Sequence, residues 1–467
     1  MKINTKSIIL LMFLGLFSCQ SLVDDINDND PNTISEVNGR DLFIGIQLAD
    51  ISANSSFLNW TGGIWTGYFF GLGRFEPMQS YQFGDVNANT PWANIYQGVV
   101  KQARELRSGI DISNQDFFYG ASKVLEVHAI GTAANLFGDV PFSQAGDDEI
   151  PNPAFDDQTK VYSDLHNLLD EGIADLERAA TSGGISEDII FGGDAAKWIA
   201  SANTLKARLY LDVGDYSNAL AAAQNGISSV EENLAYIPPA VVGTGDINLL
   251  NSLITSASGT DLLVSGSYLI DLIGTGESSR NNAKTNEVDR AAYYYNADGE
   301  TVNTEGIAGI AEPMKQISWE ENLLIWAETL IRVSPDNFND ALAKLNEHRA
   351  NLSEGIYFPV GEEALYEAYT DADFESGGIE NVDGALSKED ALLREIIEER
   401  YVSFFAHILG FNDLRRMKRD PVSIQVPVPF NVGTQHPERF LYPFSETNTN
   451  PNVPTGIDLF TKTAINQ

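Results

Sequence analysis

The sequence predicts a mainly α-helical protein in which helix-turn-helix pairs form a scaffold and a loop-rich ligand-binding layer covers it. Three observations carry that expectation. Amphipathic stretches with apolar residues at i, i+3, i+4 and i+7 recur along the chain. Tight turns join several of these stretches in pairs. Between the pairs lie long segments dense in Gly, Ser, Thr, Asn and aromatic residues, without helical period. With 467 residues, 43% of them hydrophobic, the chain has material for a sizeable core.

Taken in order, the first element is a leader. Lys2 and Lys6 precede an uncharged apolar run, Ser7 to Phe17, that is too short to span a bilayer and fits a signal-peptide core. The run closes with Leu16-Phe17-Ser18-Cys19, which resembles a bacterial lipoprotein box, so residues 1–18 are expected to be cleaved and Cys19 lipidated. Cys19 is the single cysteine, which rules out an intrachain disulfide. Residues 19–38 carry Asp24, Asp25, Asp28, Asp30 and Pro31 with no sustained apolar face, and they read as a flexible acidic tether. Residues 39–467 are then the folded, ligand-binding part.

The helices follow. Val161 to Ala180 places Leu165, Leu169, Ile173 and Leu176 on one face. Asp194 can cap a helix to about Val213 that turns Trp198, Ala202, Leu205 and Leu209 inward. Gly214-Asp215 breaks it, and an Ala-rich helix, Tyr216 to Ile227, follows at once. Ser318 and Glu321 form a capping-box pattern before Leu324, Ala327 and Ile331. Ser334-Pro335-Asp336 turns the chain into a partner helix with Phe338, Leu342 and Leu345. Ser387 and Asp390 open a last helix through Leu393, Ile396, Ile397, Tyr401, Phe404 and Ile408. The repeated unit is of the tetratricopeptide kind without an exact consensus. Segments 54–92, 237–309, 358–383 and 420–467 read as non-helical.

Charge and motif content exclude several functions. Lys and Arg number 29 against 66 Asp and Glu, a net −37, which repels phosphate backbones and anionic lipid and argues against nucleic acid as partner. His128, His166, His348, His407 and His436 show no paired helical spacing for zinc. Asp371-x-Asp373-x-Glu375 lacks the glycine and distal glutamate of a calcium loop. No GxGxxG, P-loop or GxSxG pattern occurs. No metal, cofactor or catalytic residue is therefore expected. Abundant carboxylates keep a glycosidase pair open as an alternative.

One segment has the chemistry of sugar recognition. Sugars present apolar C–H faces ringed by hydroxyls, which flat aromatic platforms and nearby polar groups satisfy. Asn59-Trp60-Thr61-Gly62-Gly63-Ile64-Trp65-Thr66-Gly67-Tyr68-Phe69-Phe70, then Arg74, Gln79, Tyr81 and Gln82, supplies both, with the glycines expected to expose the rings. Tyr293-Tyr294-Tyr295 is expected to be an extended strand that buries one tyrosine and shows two. The ligand-binding candidates are thus Trp60, Trp65, Tyr68, Arg74, Tyr81 and Tyr294. The alternative is that these rings fill a core or face a partner, and Trp92 and Tyr96 are expected to be core.

Several stretches, in order, together resemble the SusD/RagB family. They are Pro91-Trp92-Ala93-Asn94-Ile95-Tyr96, Leu136-Phe137-Gly138-Asp139-Val140-Pro141-Phe142, Trp198 through Leu209, and Ala341 to Ala350. The series continues with Glu398-Glu399-Arg400, Gly410-Phe411-Asn412-Asp413-Leu414-Arg415-Arg416, and Arg439-Phe440-Leu441-Tyr442-Pro443-Phe444 with Glu446 and Asn450. His407-Ile408-Leu409-Gly410 departs from the Glu-Gly of many members. The acidic residues after Cys19 resemble the surface-export signals of Bacteroidetes lipoproteins. The resemblance implies four tetratricopeptide-like helix pairs, a loop-rich ligand face and no catalysis. It also implies an outer-membrane lipoprotein, anchored through Cys19 and facing the exterior, that delivers a glycan to a SusC-like TonB-dependent barrel. Net charge points to a neutral polysaccharide or oligosaccharide. The alternatives are peptide capture within the same family, a helical-repeat scaffold that binds only proteins, and a glycoside hydrolase. Arg400, Arg415 and Arg416 are expected to tie helices together through acidic neighbours.

Overall fold

The structure, a computed structural model, describes residues 38–109, 112–242, 245–257, 259–276 and 278–467. The expected leader, the expected lipidation residue Cys19 and the expected tether up to residue 37 lie outside the described residues.

Several long helices begin where a short polar side chain meets orphan backbone donors. The Asn38 side chain accepts from Arg40 N at 3.1 Å to open α1 (Gly39–Asn54). After α2 (Phe57–Trp65), a helix at Asn89–Ala93 passes through a π-helical stretch, Asn94–Val100, into α3 (Lys101–Arg107). α4 (Gln115–Phe137) is followed by α5 (Gln158–Ala179), which Asp157 caps. Asp194 caps α6 (Ala195–Val213) and Asp215 caps α7 (Tyr216–Ala223). Then come α8 (Val288–Tyr294), α9 (Trp319–Val333), α10 (Phe338–Ser353), α11 (Lys388–Ser403) and α12 (Leu409–Arg416). Ser318 caps α9, accepting from Glu321 N at 3.1 Å, and Ser387 caps α11, accepting from Asp390 N at 3.1 Å.

The helices pack as four pairs: α1 with the π-helical stretch and α3, α4 with α5, α6 with α7, and α9 with α10. α5 against α6, α7 against α9 and α9 against α11 join the pairs into one scaffold. α4 is buried on almost every side, with Phe117, Val124, Ala129, Leu136 and Phe137 fully enclosed, because helices on several sides cover it. Among the described residues, β structure is limited to short antiparallel pairs. β1 (Phe70–Gly71) pairs β3 (Leu262–Leu263), β2 (Leu234–Tyr236) pairs β5 (Met314–Ile317), and β4 (Thr285–Asn286) pairs β6 (Leu365–Tyr366). The main buried cluster draws on side chains from Phe43 to Ile465, so the C-terminal segment closes the same core that α1 opens.

Three local expectations are corrected. Segments 54–92 and 237–309 are not continuous loops. They contain α2, α8 and short helices at Leu249–Ile254 and Tyr268–Ile273. Burial of α2 on most sides leaves no polar face for a period to show, and packing overrides the propensity cost of its two glycines. The helix opened by Ser387 ends at Ser403 rather than Ile408, because the chain turns at Ala406, whose φ is 59°, before α12. Ser318 supplies only half of the expected capping box: the Glu321 carboxylate pairs with Arg208 at 2.6 and 2.7 Å instead.

The motif residues hold this arrangement. Tyr442 donates to the Asp139 carbonyl at 2.7 Å, and the Asp139 carboxylate accepts from Gln158 N at 2.9 Å. Arg400 and Arg416 pair with Asp413 and Glu328, as expected of helix ties. Arg415 differs. Its contacts are neutral oxygens, among them the Asn135 and Glu438 carbonyls, and burial pushes its pKa down to about 10.

Candidate functional site

A cleft opens where α2, α8, the start of α9 and the turn between α11 and α12 converge. α2 contributes Asn59 and Trp60, α8 contributes Tyr293 and Tyr294, and the segment after α10 contributes Tyr357 and Phe358. β5 and its flanks bring Glu312, Lys315 and Gln316, α9 brings Glu320 and Glu321, and the 403–409 turn brings His407.

Specific bonds fix these walls. Asn59 Nδ2 donates to the Ala406 carbonyl at 2.6 Å, tying α2 to a turn that holds a non-glycine residue in the left-handed region. Tyr294 donates its hydroxyl proton to the Val402 carbonyl at 3.0 Å, and its ring lies 4.8 Å from that of Phe405. Tyr293 stacks on Phe358 at 5.6 Å and 19°, with its hydroxyl on Glu312. Trp60 is half-buried, set edge-on to Phe75 at 6.4 Å, and its indole N–H has no partner among the described residues.

Burial dominates the electrostatics. It raises the Tyr293, Tyr294 and Tyr357 phenols, so all three remain protonated. Burial first, then Arg208 and His128, push His407 down to about 3, so its ring is neutral at physiological pH, with Nδ1 accepting from Leu409 N at 3.2 Å. Aromatic faces beside fixed polar groups can hold a sugar ring by stacking and edge hydrogen bonds.

The sequence candidates separate. Trp60 and Tyr294 come together at the cleft. Trp65 and Tyr68 do not: both are fully buried. The Trp65 ring lies 4.6 Å from Phe440 and its N–H donates to the Met78 carbonyl at 2.9 Å, while Tyr68 donates to the Tyr401 carbonyl at 2.6 Å. The expectation that glycines expose these rings is corrected, because the glycines let neighbours in. A methyl at Gly62 would sit 2.8 Å from Ile408 Cδ1, and one at Gly63 would sit 2.7 Å from Phe69 Cδ2. Tyr81 is also buried, its hydroxyl accepting from Asn431 N at 2.9 Å. Arg74 is exposed away from the cleft, 3.8 Å from Asp261 and beside Phe75. The three consecutive tyrosines do not form a strand: Tyr293 and Tyr294 end α8 and Tyr295 follows it in extended backbone, with Tyr294 buried and Tyr293 and Tyr295 half-buried.

Sequence reasoning missed Glu320, Gln316, Tyr357 and Phe358 as cleft residues. Glu320 has the local signature of a first-turn helix acid, and only the fold across more than 250 residues brings it near Trp60. Among the described residues, no group of three or more His, Cys, Asp or Glu side chains is placed to hold a metal.

The four helix pairs and the cleft on them define a helical-repeat scaffold that presents a candidate ligand site. Residues 31–242 match the family model SusD-like, described as starch-binding associating with outer membrane. A SusD/RagB family protein from Bacteroides thetaiotaomicron has the same fold with a TM-score of 0.66 at 21% identity, covering 89% of this chain and 95% of that one. A chitin-binding SusD homologue from Flavobacterium johnsoniae gives 0.67 at 18% identity, over 92% and 98% of the two chains. A SusD homologue from Bacteroides uniformis gives 0.67 at 16%, over 93% and 100%. No curated protein matches the sequence. The chain shares the fold of these SusD-like proteins, and its residues 31–242 match the SusD-like family model.

Proposed function

We propose that this protein is a non-catalytic outer-membrane lipoprotein that captures a glycan in the Trp60 cleft and delivers it to a SusC-like TonB-dependent barrel. The carrying observation is Trp60: a half-buried ring with an unpartnered indole N–H, beside the stacked Tyr293–Phe358 pair. Such a ring is a platform for a sugar face and a donor for a sugar oxygen. The family description and the chitin-binding relative support a glycan over a peptide. No described helix is long and apolar enough to cross a membrane. The proposed anchor is the lipid on Cys19, after cleavage of residues 1–18, with the acidic residues up to 38 as tether and residues 39–467 as the binding domain. Tyr294 sets one wall of the site, and Arg74, exposed away from it, is not part of the proposed site. Trp65, Tyr68 and Tyr81 act through packing.

Affinity electrophoresis of the protein through gels containing neutral and acidic polysaccharides tests this. Retardation in at least one glycan gel, abolished by Trp60→Ala and retained in Trp92→Phe, is expected. Retardation that survives Trp60→Ala would remove the site. Reducing sugar released from any retained polysaccharide would replace capture with hydrolysis.

A further inference from the structure

The unspent polar capacity of this cleft is weighted toward acceptors. Glu320 is 8% exposed, and its carboxylate has neither an ion pair nor a hydrogen bond among the described residues. Asn59 Oδ1 and Gln316 Oε1 are buried without partners. The orientation of both amides is dictated by their neighbours. Asn59 Nδ2 donates to the Ala406 carbonyl, and Gln316 Nε2 donates to the Met314 carbonyl at 3.1 Å. Carbonyls only accept, so the NH₂ groups must lie there and the oxygens remain as acceptors.

The other charges do not cancel Glu320. Arg208 is engaged by Glu321 and the Gln316 carbonyl. Glu312 takes the Tyr293 hydroxyl. Lys315 also lines the cleft, but among the described residues it forms neither an ion pair nor a hydrogen bond with Glu320 and so leaves that carboxylate's acceptors open, and His407 is neutral. A neutral ligand that closes over Glu320 strips the last water from a carboxylate and leaves its charge uncompensated. An ammonium group supplies both the countercharge and several donors, and an aromatic face such as Trp60 in the same cleft favours a cation.

Resting on the glycan reading above, we infer that the cleft takes an amino sugar whose amine is free and protonated, with the ammonium on Glu320 and the ring face on Trp60. The distinguishing group is the free amine, so glucosamine oligomers are preferred to their N-acetylated or 2-hydroxyl counterparts.

Isothermal titration of the protein at mildly acidic pH with oligomers of glucosamine, N-acetylglucosamine and β-1,4-glucose of equal length tests this. The free-amine oligomer is expected to bind about 10- to 100-fold more tightly, as one charge-assisted hydrogen bond allows. Glu320→Gln erases that preference, weakening the free-amine oligomer and relieving the neutral ones of the cost of covering a carboxylate, while Trp60→Ala weakens all three. A second readout needs no variant: added salt weakens the amine oligomer and spares the neutral ones. Trp60-dependent binding of neutral oligomers as tight as the amine, or a preference that survives Glu320→Gln, overturns the inference and leaves glycan capture standing. A lysine oligopeptide that binds more tightly than the amine oligomer also overturns it. Binding of none of the three sugars overturns the inference, whereas retardation in none of the polysaccharide gels overturns the glycan reading itself.

Discussion

Ala180 ends α5 in the left-handed region, with φ 45° and ψ 32°, at the position glycine usually occupies after a helix. A Cβ there is strained, so Ala180→Gly is expected to stabilise the protein by about 0.5–1 kcal/mol. A raised urea midpoint at unchanged m-value checks it. Gly410 is the reverse case. Its Cα lies against the Tyr68 ring, where an added methyl would overlap ring and hydroxyl. Gly410→Ala is expected to destabilise by about 1–3 kcal/mol or more, by forcing Tyr68 from its bond to the Tyr401 carbonyl. The same denaturant titration reads both changes, with opposite signs. At this scale the sequence was a poor guide to the site. Trp60 and Trp65 stand five residues apart in one Gly-rich aromatic run, and nothing local says which is accessible. Distant packing decides it: Phe411 and Phe440 enclose Trp65, while Trp60 is left at the mouth of a cleft whose other wall comes from residues 312–320 and 403–409.

Elements whose boundaries depend on local hydrogen bonds were legible. Asp194, Ser318 and Ser387 cap the helices their sequence signatures predict. α2 and α8 were not legible, since near-complete burial of one and short length of the other remove the polar/apolar contrast on which periodicity depends. Between elements, the strongest tie is ionic and came only in part from motif reading. Glu328 on α9 is fully buried among Arg332, Arg400 and Arg416, which join it to α11 and α12. Burial raises its pKa, but Arg416, Arg332 and Arg400 outweigh that and hold the carboxyl far below the usual range. A depressed carboxyl stabilises the fold above its unfolded value, and this contribution declines as pH falls from about 4.3 toward the folded value. Glu328→Gln leaves three guanidiniums without their shared anion and is expected to cost about 3–5 kcal/mol at neutral pH. Its penalty relative to the parent should shrink below about pH 4, where the unfolded parent protonates. Denaturant titrations of both proteins at pH 7 and near pH 3 measure the difference.

Across the whole molecule, ordered motifs made the class readable when no single one sufficed, because each is a packing contact that a fold of this kind must make: Tyr442 on Asp139, Arg416 on Glu328, and Arg415 on the Asn135 carbonyl. Net charge is the property that no single contact describes. With an excess of 37 negative charges, the surface carboxylates repel one another in the compact state, while buried pairs such as Arg290–Glu399 and Arg208–Glu321 are shielded from solvent ions. Dissolved salt therefore acts mainly on the repulsion, whose range contracts from about 30 Å at 0.01 M to about 8 Å at 0.15 M. Thermal stability is expected to rise with sodium chloride over that interval and then level off, the opposite of a fold held by surface ion pairs. Calorimetry across a salt series reads this directly. A falling transition temperature would mean that the exposed pairs, Lys101–Asp148 and Arg178–Asp116 among them, outweigh the repulsion. The same field sets the ligand class at long range. Polyanionic glycans should show no retention at low salt, where repulsion reaches furthest, and a free-amine glycan should associate fastest there.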